Sequence, residues 1–427
     1  MPLVVPNRLR NALTKPVAVF GSGLSGQGVL ALLRVLGLPG VCYDERDVVF
    51  KAEHLSAHRL VVFSPGFPID HAWLKLAREG GLECLGEMDF AALFWKGRAI
   101  AITGTNGKTT LTEFITHALR QEWETAHAVG NIGRPLARLV ADTAGGREDE
   151  IAICEVSSFQ AETMQHFRCE AVLWTNFAED HLDRHANLKA YFEAKLKLVA
   201  TTGAKCVCVG PSVKSYAQQL NYALPPEVIV AEESLSSASE LSDTVFADYP
   251  QRENFNLAMA WWEKTKRRPE RLYAAAKSFR LGRHRMGRVA EIGGVTYWND
   301  SKGTNFHAVE GALRRFDRPV TLILGGKAKG GDIPAFVQRI APQVQHALLI
   351  GETRPVLAAA CSAANLKHTL CDTFEQAIRT AAEVAKPDGH VVLSPGFASF
   401  DMFRNYEERG EIFERLVHTL GNPAITR

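Results

Sequence analysis

No stretch of this 427-residue chain approaches the ~18 uninterrupted apolar residues that a membrane-spanning helix needs. The opening "MPLVVPNRLR" also lacks the apolar core of a secretory signal, so a cytoplasmic protein is expected, with no membrane insertion. Nor is there a dominant charge: 49 Lys and Arg stand against 47 Asp and Glu. That balance argues against a nucleic-acid partner held by basic attraction, yet leaves room for a local basic pocket around a small anion. Low-complexity segments and sequence repeats are absent. Cysteine is present but unclustered, with eight residues at 42, 84, 154, 169, 206, 208, 361 and 371. No second ligand cluster has zinc spacing, so they read as thiols in a reducing compartment. Cys206 and Cys208, in "AKCVCVG", read as buried strand residues rather than a metal pair.

What is present is alternation. Short β-branched runs are followed by longer helical patterns along the whole chain, the mark of βαβ units and parallel sheets. The length exceeds what one hydrophobic core organises, so two or three domains are expected. A first block, 1–96, holds strands at "PVAVF", "GVCYDER" and "RLVVFSPGF". A second, 97–282, opens on "KGRAIAITGTNGKTT" and continues through "EIAICEVSS", "EAVLWTNFAEDH" and "AKCVCVG". It closes at "SFRLGRHRMGRV", a basic, glycine-punctuated stretch suited to a hinge. A third, 283–427, has strands at "GVTYWNDS", "PVTLILGG", "HALLIG" and "HVVLSPG". Many strands end in small or polar residues, and in parallel α/β sheets the crevice beyond the carboxyl ends is where ligands bind.

"GTNGKTT", residues 104–110, follows the apolar strand "AIAIT" and precedes a helical pattern. Gly104 and Gly107 permit a tight turn that aims backbone N–H groups at phosphate oxygens. Lys108 adds charge, and a threonine hydroxyl can ligate magnesium. The glycine that the usual P-loop spacing wants at 102 is missing; Ile102 stands there. Glu155 at the end of "IAICE" and His181 in "AEDHLDRH" are candidates for a metal site, with His181 also suited to hydrogen bonding or acid–base work. "GSGLSG", with Asp44 some twenty residues on, fits a turn that holds a diphosphate. A rival reading as an NAD-dependent oxidoreductase rests on that turn and Asp44 alone, and leaves GTNGKTT unexplained. "HR" (284–285), "NDSK" (299–302) and "GGKAKGGD" (325–332) gather positive charge in the third block.

Taken in order, "GTNGKTT", "GNIGRP" (130–135), "EVSSFQ" (155–160), "DHLDRH" (180–185), "HR", "NDSKGTN" and "LSPGFASFDMFRNYEERG" (393–410) resemble the landmarks of the Mur ligases, the ATP-dependent amide-forming enzymes of peptidoglycan precursor synthesis. The resemblance spans nearly the whole chain and accounts for the missing glycine at 102. It implies an α/β fold of three domains: Rossmann-like, then a central P-loop ATPase with a mainly parallel sheet, then Rossmann-like again. The last motif and the compact first domain are most similar to the branch that joins D-glutamate to UDP-N-acetylmuramoyl-L-alanine through an acyl phosphate. A related ligase adding L-glutamate or another amino acid is the alternative.

By that resemblance, the UDP substrate would meet Gly23, Leu24, Ser25, Asp44, Arg46, Ser64 and Gly66, and its muramoyl-alanine part Asn131, Ser157, Ser158 and Gln160. ATP would meet Gly104, Thr105, Asn106, Gly107, Lys108, Thr109 and Thr110, with Asn254, Arg285, Asp300 and Lys302. Two magnesium ions are implied, held by Thr109 (or Thr110), Glu155, His181 and Lys195, the last carbamylated by carbon dioxide. On residues alone Lys195 reads as a surface lysine of a helix. The catalytic set would be Lys108, His181 and Lys195. Glutamate would meet Lys302, Thr304, Lys329, Ser399 and Tyr406. The chain departs from the family pattern at Tyr406, where phenylalanine is common, at "SPGFAS" in place of "SPACAS", and at Glu253 and Leu257, where His and Asn are frequent. A monomer is expected.

Overall fold

The computed structural model describes residues 3–225, 227–232 and 236–420. Three sheets organise it. The first contains β1 (Val17–Phe20), β2 (Gly40–Tyr43), β3 (Leu60–Phe63) and β4 (Glu83–Gly86) in the order β2-β1-β3-β4. The second contains β5 (Arg98–Thr103), β6 (Ala126–Gly130), β7 (Ile151–Glu155), β8 (Ala171–Trp174), β9 (Cys206–Val209) and β10 (Ile229–Val230), ordered β10-β9-β8-β5-β7-β6. The third contains β11 (Gly287–Ile292), β12 (Val295–Asn299), β13 (Val320–Gly325), β14 (Val344–Ile350), β15 (His368–Leu370) and β16 (His390–Leu393), ordered β11-β12-β16-β13-β14-β15. Every pairing is parallel except β11 with β12.

The apolar runs become central strands because helices cover both faces of a parallel sheet. In β1, β3 and β13 every residue is buried. The third sheet shows the sorting. Leu322, Leu324 and Val392 point to a core shared with the helices Phe306–Leu313 and Ile333–Ile340, while Ile323, Val391 and Leu393 point to one shared with Phe374–Val384 and Tyr406–Leu420.

Packing groups Met1–Phe177, Lys189–Ala247 and Arg252–Phe279 as one unit, and Ala178–Leu188, Asp248–Gln251 and Arg280–Arg427 as a second. The first unit thus holds two sheets, and the segment with Asp180 and His181 belongs to the second. Five strands absent from the sequence reading, β4, β6, β10, β11 and β15, are short or interrupted by polar residues. β11 begins inside the stretch read as a hinge. It turns back on β12 through Gly293 and Gly294, both with positive φ, 59° and 76°.

Candidate active site

In the first unit, β5 runs straight into the phosphate loop. Ile102 is fully buried and pairs with Glu155 on one side and Leu173 on the other, so its side chain serves the sheet core. The turn begins after it. Gly104 has φ +144°, and a Cβ there would fall 1.8 Å from the Thr175 hydroxyl. Gly107 has φ +80° and stands at the N-terminus of the 14-residue helix Lys108–Gln121. A Cβ on Gly107 would lie 2.5 Å from the Asn254 side-chain oxygen, so Asn254 packs against this turn. Lys108 Nζ donates to the carbonyls of Gly104 and Thr105, each at 2.9 Å. Backbone N–H groups in the first turn of a helix and a lysine folded over the loop form an anion cradle.

Beside the loop, β7 ends in Glu155, which is 2% exposed. Its carboxylate accepts from Thr109 Oγ1 at 2.7 Å and from Asn131 Nδ2 at 3.0 Å. Three residues far apart in sequence are gathered because β5, β7 and β6 are adjacent and parallel. Oxygen donors of this kind suit a phosphate-bound magnesium, which takes few protein ligands. Among the described residues no cluster of three or more His, Cys, Asp or Glu forms a ready-made metal cage.

Lys195 overturns the surface reading. It lies on the helix Leu188–Thr201 but is only 1% exposed. Its Nζ donates to the Gly104 carbonyl at 2.9 Å, lies 3.5 Å from Thr103 Oγ1 and sits over the Tyr191 ring at 4.8 Å. Lys108 and Lys195 therefore share one carbonyl of the loop.

The first sheet presents the turn Gly21–Gly23 and the start of the helix Leu24–Val35. Asp44 accepts from Ser22 N (2.9 Å) and Ser22 Oγ (2.7 Å), and the Arg46 amide donates to its other oxygen at 3.1 Å. These bonds, those of Ser22 first, hold its carboxyl below the ordinary range. The Ser64 hydroxyl is buried with no hydrogen-bond partner and lies next to Gly21. Around Gly23 and Gly66 there is open space, and Leu24 is exposed; Ser25 sits in the first turn. Ser157 and Gln160 cap each other at the start of the helix Ser158–Thr163, a structural task, and Ser158 is buried.

The second unit has its own polar cluster. Lys329 Nζ lies 3.4 Å from Thr304 Oγ1 and 3.8 Å from Asp180, whose other oxygen accepts from Asn305 Nδ2 at 2.9 Å. Burial raises the Asp180 carboxyl, but Lys329, His181 and Asn305 outweigh it and the net shift is downward. Lys302 Nζ donates to Tyr406 OH at 2.8 Å and stands 4.0 Å from the ring centre. Asp300 accepts from Ser394 Oγ at 2.8 Å, and burial pushes its carboxyl up to about 7 despite Arg285 nearby. Ser399 is buried at the head of a turn, its carbonyl accepting from Met402 and Phe403.

Sequence reasoning passed over four residues. Thr175 and Asn176 stitch the phosphate loop: Thr175 Oγ1 donates to Asn106 O at 2.6 Å, and Asn176 Oδ1 accepts the Asn106 amide at 2.9 Å. They stood in the quoted "TNFAEDH", so their place at a strand end was a usable signal. Asn305, beside Thr304, caps the next helix by accepting from Ala308 N. Arg409, 1% exposed, binds Ser301 and Phe397. Nothing in "YEERGEIF" marks it as buried.

Two family models match the chain: the Mur ligase middle domain over residues 102–262, and the Mur ligase glutamate ligase domain over 284–397. A UDP-N-acetylmuramoylalanine--D-glutamate ligase of Caldicellulosiruptor bescii is 31% identical, covering 95% of this chain and 98% of that protein. The protein of the same name from Thermoanaerobacter sp. strain X514 is 33% identical with the same coverage. Among solved structures, a MurF ligase from Thermotoga maritima in complex with ADP superposes with a TM-score of 0.56 at 14% identity, covering 87% of this chain and 98% of that one. That likeness concerns the fold. Full-length identity above 30% and the two domain matches establish that the chain belongs to the Mur ligase family.

Proposed function

We propose that the protein joins D-glutamate to UDP-N-acetylmuramoyl-L-alanine at the expense of ATP. The observation that carries this is the convergence of Thr109 and Asn131 on Glu155 beside the Gly104–Lys108 cradle, in a chain whose near-full-length relatives bear that enzyme's name. A carboxylate oxygen of the substrate attacks the γ-phosphorus, ADP leaves, and an acyl phosphate results. The glutamate amine then attacks the acyl carbon and gives up a proton. Phosphate departs, leaving an amide. Charge builds first on phosphoryl oxygens and then on the oxyanion, so catalysis is chiefly positioning and electrostatics.

Within the first unit, the loop N–H groups and Lys108 would hold the triphosphate, and Asn254 would flank the loop. Thr109 and Glu155 would hold magnesium, which supplies charge neutralisation when bound. The turn at Gly23, with Asp44 and Ser64, would take the UDP end. We assign Lys195 as the carbamylated lysine: its amine adds carbon dioxide to give a carbamate and release a proton. Two ammonium groups on the Gly104 carbonyl, that of Lys195 buried and that of Lys108 half-buried, repel each other, and conversion of one to an anion removes that repulsion. His181 is carried as a further metal ligand. In the second unit, Lys329 and Thr304, with Lys302, Tyr406 and Ser399, would hold glutamate. On the same reading the enzyme works as a cytoplasmic monomer.

The test is phosphate release measured with ATP, UDP-N-acetylmuramoyl-L-alanine and, in turn, D-glutamate, L-glutamate and other amino acids. Release should require D-glutamate and vanish in Lys108→Ala. Release with L-glutamate alone would assign the chain to the other stereochemistry. Isotopically labelled bicarbonate should give a carbamate carbon signal that Lys195→Ala lacks; an identical spectrum in both proteins refutes the carbamate.

A further inference from the structure

The short helix Glu87–Ala92 follows β4 of the first sheet and carries two buried acids, Glu87 and Asp89, each 2% exposed. Both spend their oxygens on backbone amides in connections of the second sheet. Asp89 accepts from Gln165, His166 and Phe167, whereas Glu87 accepts from Ala137 N at 2.7 Å. Ala137 lies in the first turn of the helix Leu136–Asp142, which opens on Pro135. A Ser, Thr, Asp or Asn side chain usually caps a helix at that place, and proline has no acceptor to offer. Glu87, far away in the sequence, supplies one instead. Burial pushes its carboxyl up to about 7, with only the Ala137 amide opposing.

What precedes that helix gives the cap its importance. Residues 130–135 run from the end of β6 to Leu136 and hold Glu155 twice. Asn131 N donates to the Glu155 carbonyl at 2.8 Å, and Asn131 Nδ2 donates to its carboxylate at 3.0 Å. The Gly130 amide donates to Arg134 O at 2.9 Å and closes the segment into a loop. Met88, next to Glu87, packs against it: a Cβ on Gly130 would lie 2.9 Å from Met88 Cε and 2.2 Å from Glu155 O. One end of the loop is therefore fixed on Glu155 and the other on Glu87.

We propose that Glu87 is a positioning residue for magnesium: through the Ala137 amide it fixes the 130–135 loop, and that loop fixes the Glu155 carboxylate. The inference rests on the reading of Glu155 as a metal ligand. Glu87 itself is bonded to Ala137 and acts through Asn131. Its removal should therefore cost less than loss of a group that bonds a metal ligand directly, where about 10- to 100-fold in affinity is usual. Asp89 supplies the internal comparison. It sits on the same helix and makes bonds of the same kind, but onto residues 165–167, which lie outside the loop that holds Glu155.

The test uses the full-length protein. Glu87→Met keeps the side-chain volume, drops the acceptor and relieves the burial of a carboxyl, so it is expected to fold. Glu87→Gln keeps the acceptor without the charge. Hydrogen exchange at the Asn131 amide, measured near pH ~6 without nucleotide or metal, should accelerate about tenfold or more in Glu87→Met and keep the wild-type rate in Glu87→Gln. In phosphate-release assays the magnesium concentration for half-maximal rate should rise about 3- to 10-fold in Glu87→Met, with the KM for D-glutamate unchanged. Asp89→Asn controls for general loosening: it should lower thermal stability and leave the magnesium requirement alone. A wild-type exchange rate in Glu87→Met, equal acceleration in Glu87→Gln, or an equal rise in magnesium requirement in Asp89→Asn would each overturn the proposal. Thr109→Ala separates the premise. If it leaves the magnesium requirement unchanged, the metal reading fails and this proposal with it; a rise there with none in Glu87→Met overturns this proposal alone.

Discussion

Replacing Arg409 with lysine tests how the second unit holds its polar loops. The guanidinium is 1% exposed and spends its donors on three acceptors: Ser301 Oγ at 3.0 Å, Ser301 O at 2.8 Å and Phe397 O at 3.2 Å. It therefore ties the loop after β12, which carries Asp300, Lys302 and Thr304, to the loop after β16. Burial lowers its pKa, to about 10 even with Asp401 and Asp300 opposing, so the cation is held against a real desolvation cost. A lysine has one nitrogen and cannot reach acceptors spread around a planar fork. Two of the three bonds are lost. Hydrogen bonds from charged donors contribute about 1.5–3 kcal/mol each, so Arg409→Lys should weaken this tie by roughly 3–6 kcal/mol. Hydrogen exchange at the amides of Ser301, Gly303 and Gly396, bonded respectively to Asn299, Asp300 and Gly303, reads that tie directly. Exchange there should accelerate about 10²- to 10⁴-fold, with the helix Lys108–Gln121 unaffected. A change below about threefold, or an equal acceleration throughout the chain, would show that the fork is not what holds these loops.

Three further outcomes follow from the same geometry. Gly107→Ala places a methyl 2.5 Å from Asn254 Oδ1 at φ +80°, where a non-glycine residue costs about 1–2 kcal/mol before the clash, so phosphate release should fall by about tenfold or more while circular dichroism stays that of the wild type. Tyr406→Phe keeps the ring under Lys302 but removes the hydroxyl that accepts from it at 2.8 Å, and the KM for glutamate should rise about 5- to 10-fold in steady-state assays, with the KM for ATP unchanged. Glu87 is 2% exposed, and burial pushes its carboxyl up to about 7 against the Ala137 amide bond. A raised folded pKa gives stability that is complete at acid pH and lost as pH climbs through about 7. Glu87→Gln should therefore gain stability relative to wild type between pH ~5 and ~8, by up to roughly 3 kcal/mol in chemical denaturation. An equal difference at both pH values would refute the assignment.

What the sequence made legible was whatever depends on local chain geometry. A strand that runs into Gly-Thr-Asn-Gly-Lys builds a phosphate turn regardless of its surroundings, and the structure puts positive φ at both glycines of that turn. Small residues after β1, β3 and β16 marked strand ends for the same reason, and the carboxyl ends of parallel strands are where a ligand crevice is expected. Lys195 shows the limit. Its helix has polar and apolar residues on several faces, so periodicity left it at the surface; burial comes from the phosphate loop and Tyr191 closing over it.

Arg409 and Thr175 fail to announce themselves for a related reason. Each works by bonding backbone atoms of a loop distant in sequence, and a backbone carbonyl leaves no trace in residue identity. The segment with Asp180 and His181 is harder still. It follows β8 of the second sheet without a break, yet packs with residues beyond 280 because Asp180 finds Asn305 and Lys329 there. Contiguity would keep it with the ATP-loop unit; two polar partners at hydrogen-bonding or ion-pair range decide otherwise. The phosphate turn is thus written into a short stretch of chain, while the residues that hold the loops around it are selected by tertiary acceptors. Substitutions of the first kind should strike turnover directly, and those of the second should first loosen the loops they tie.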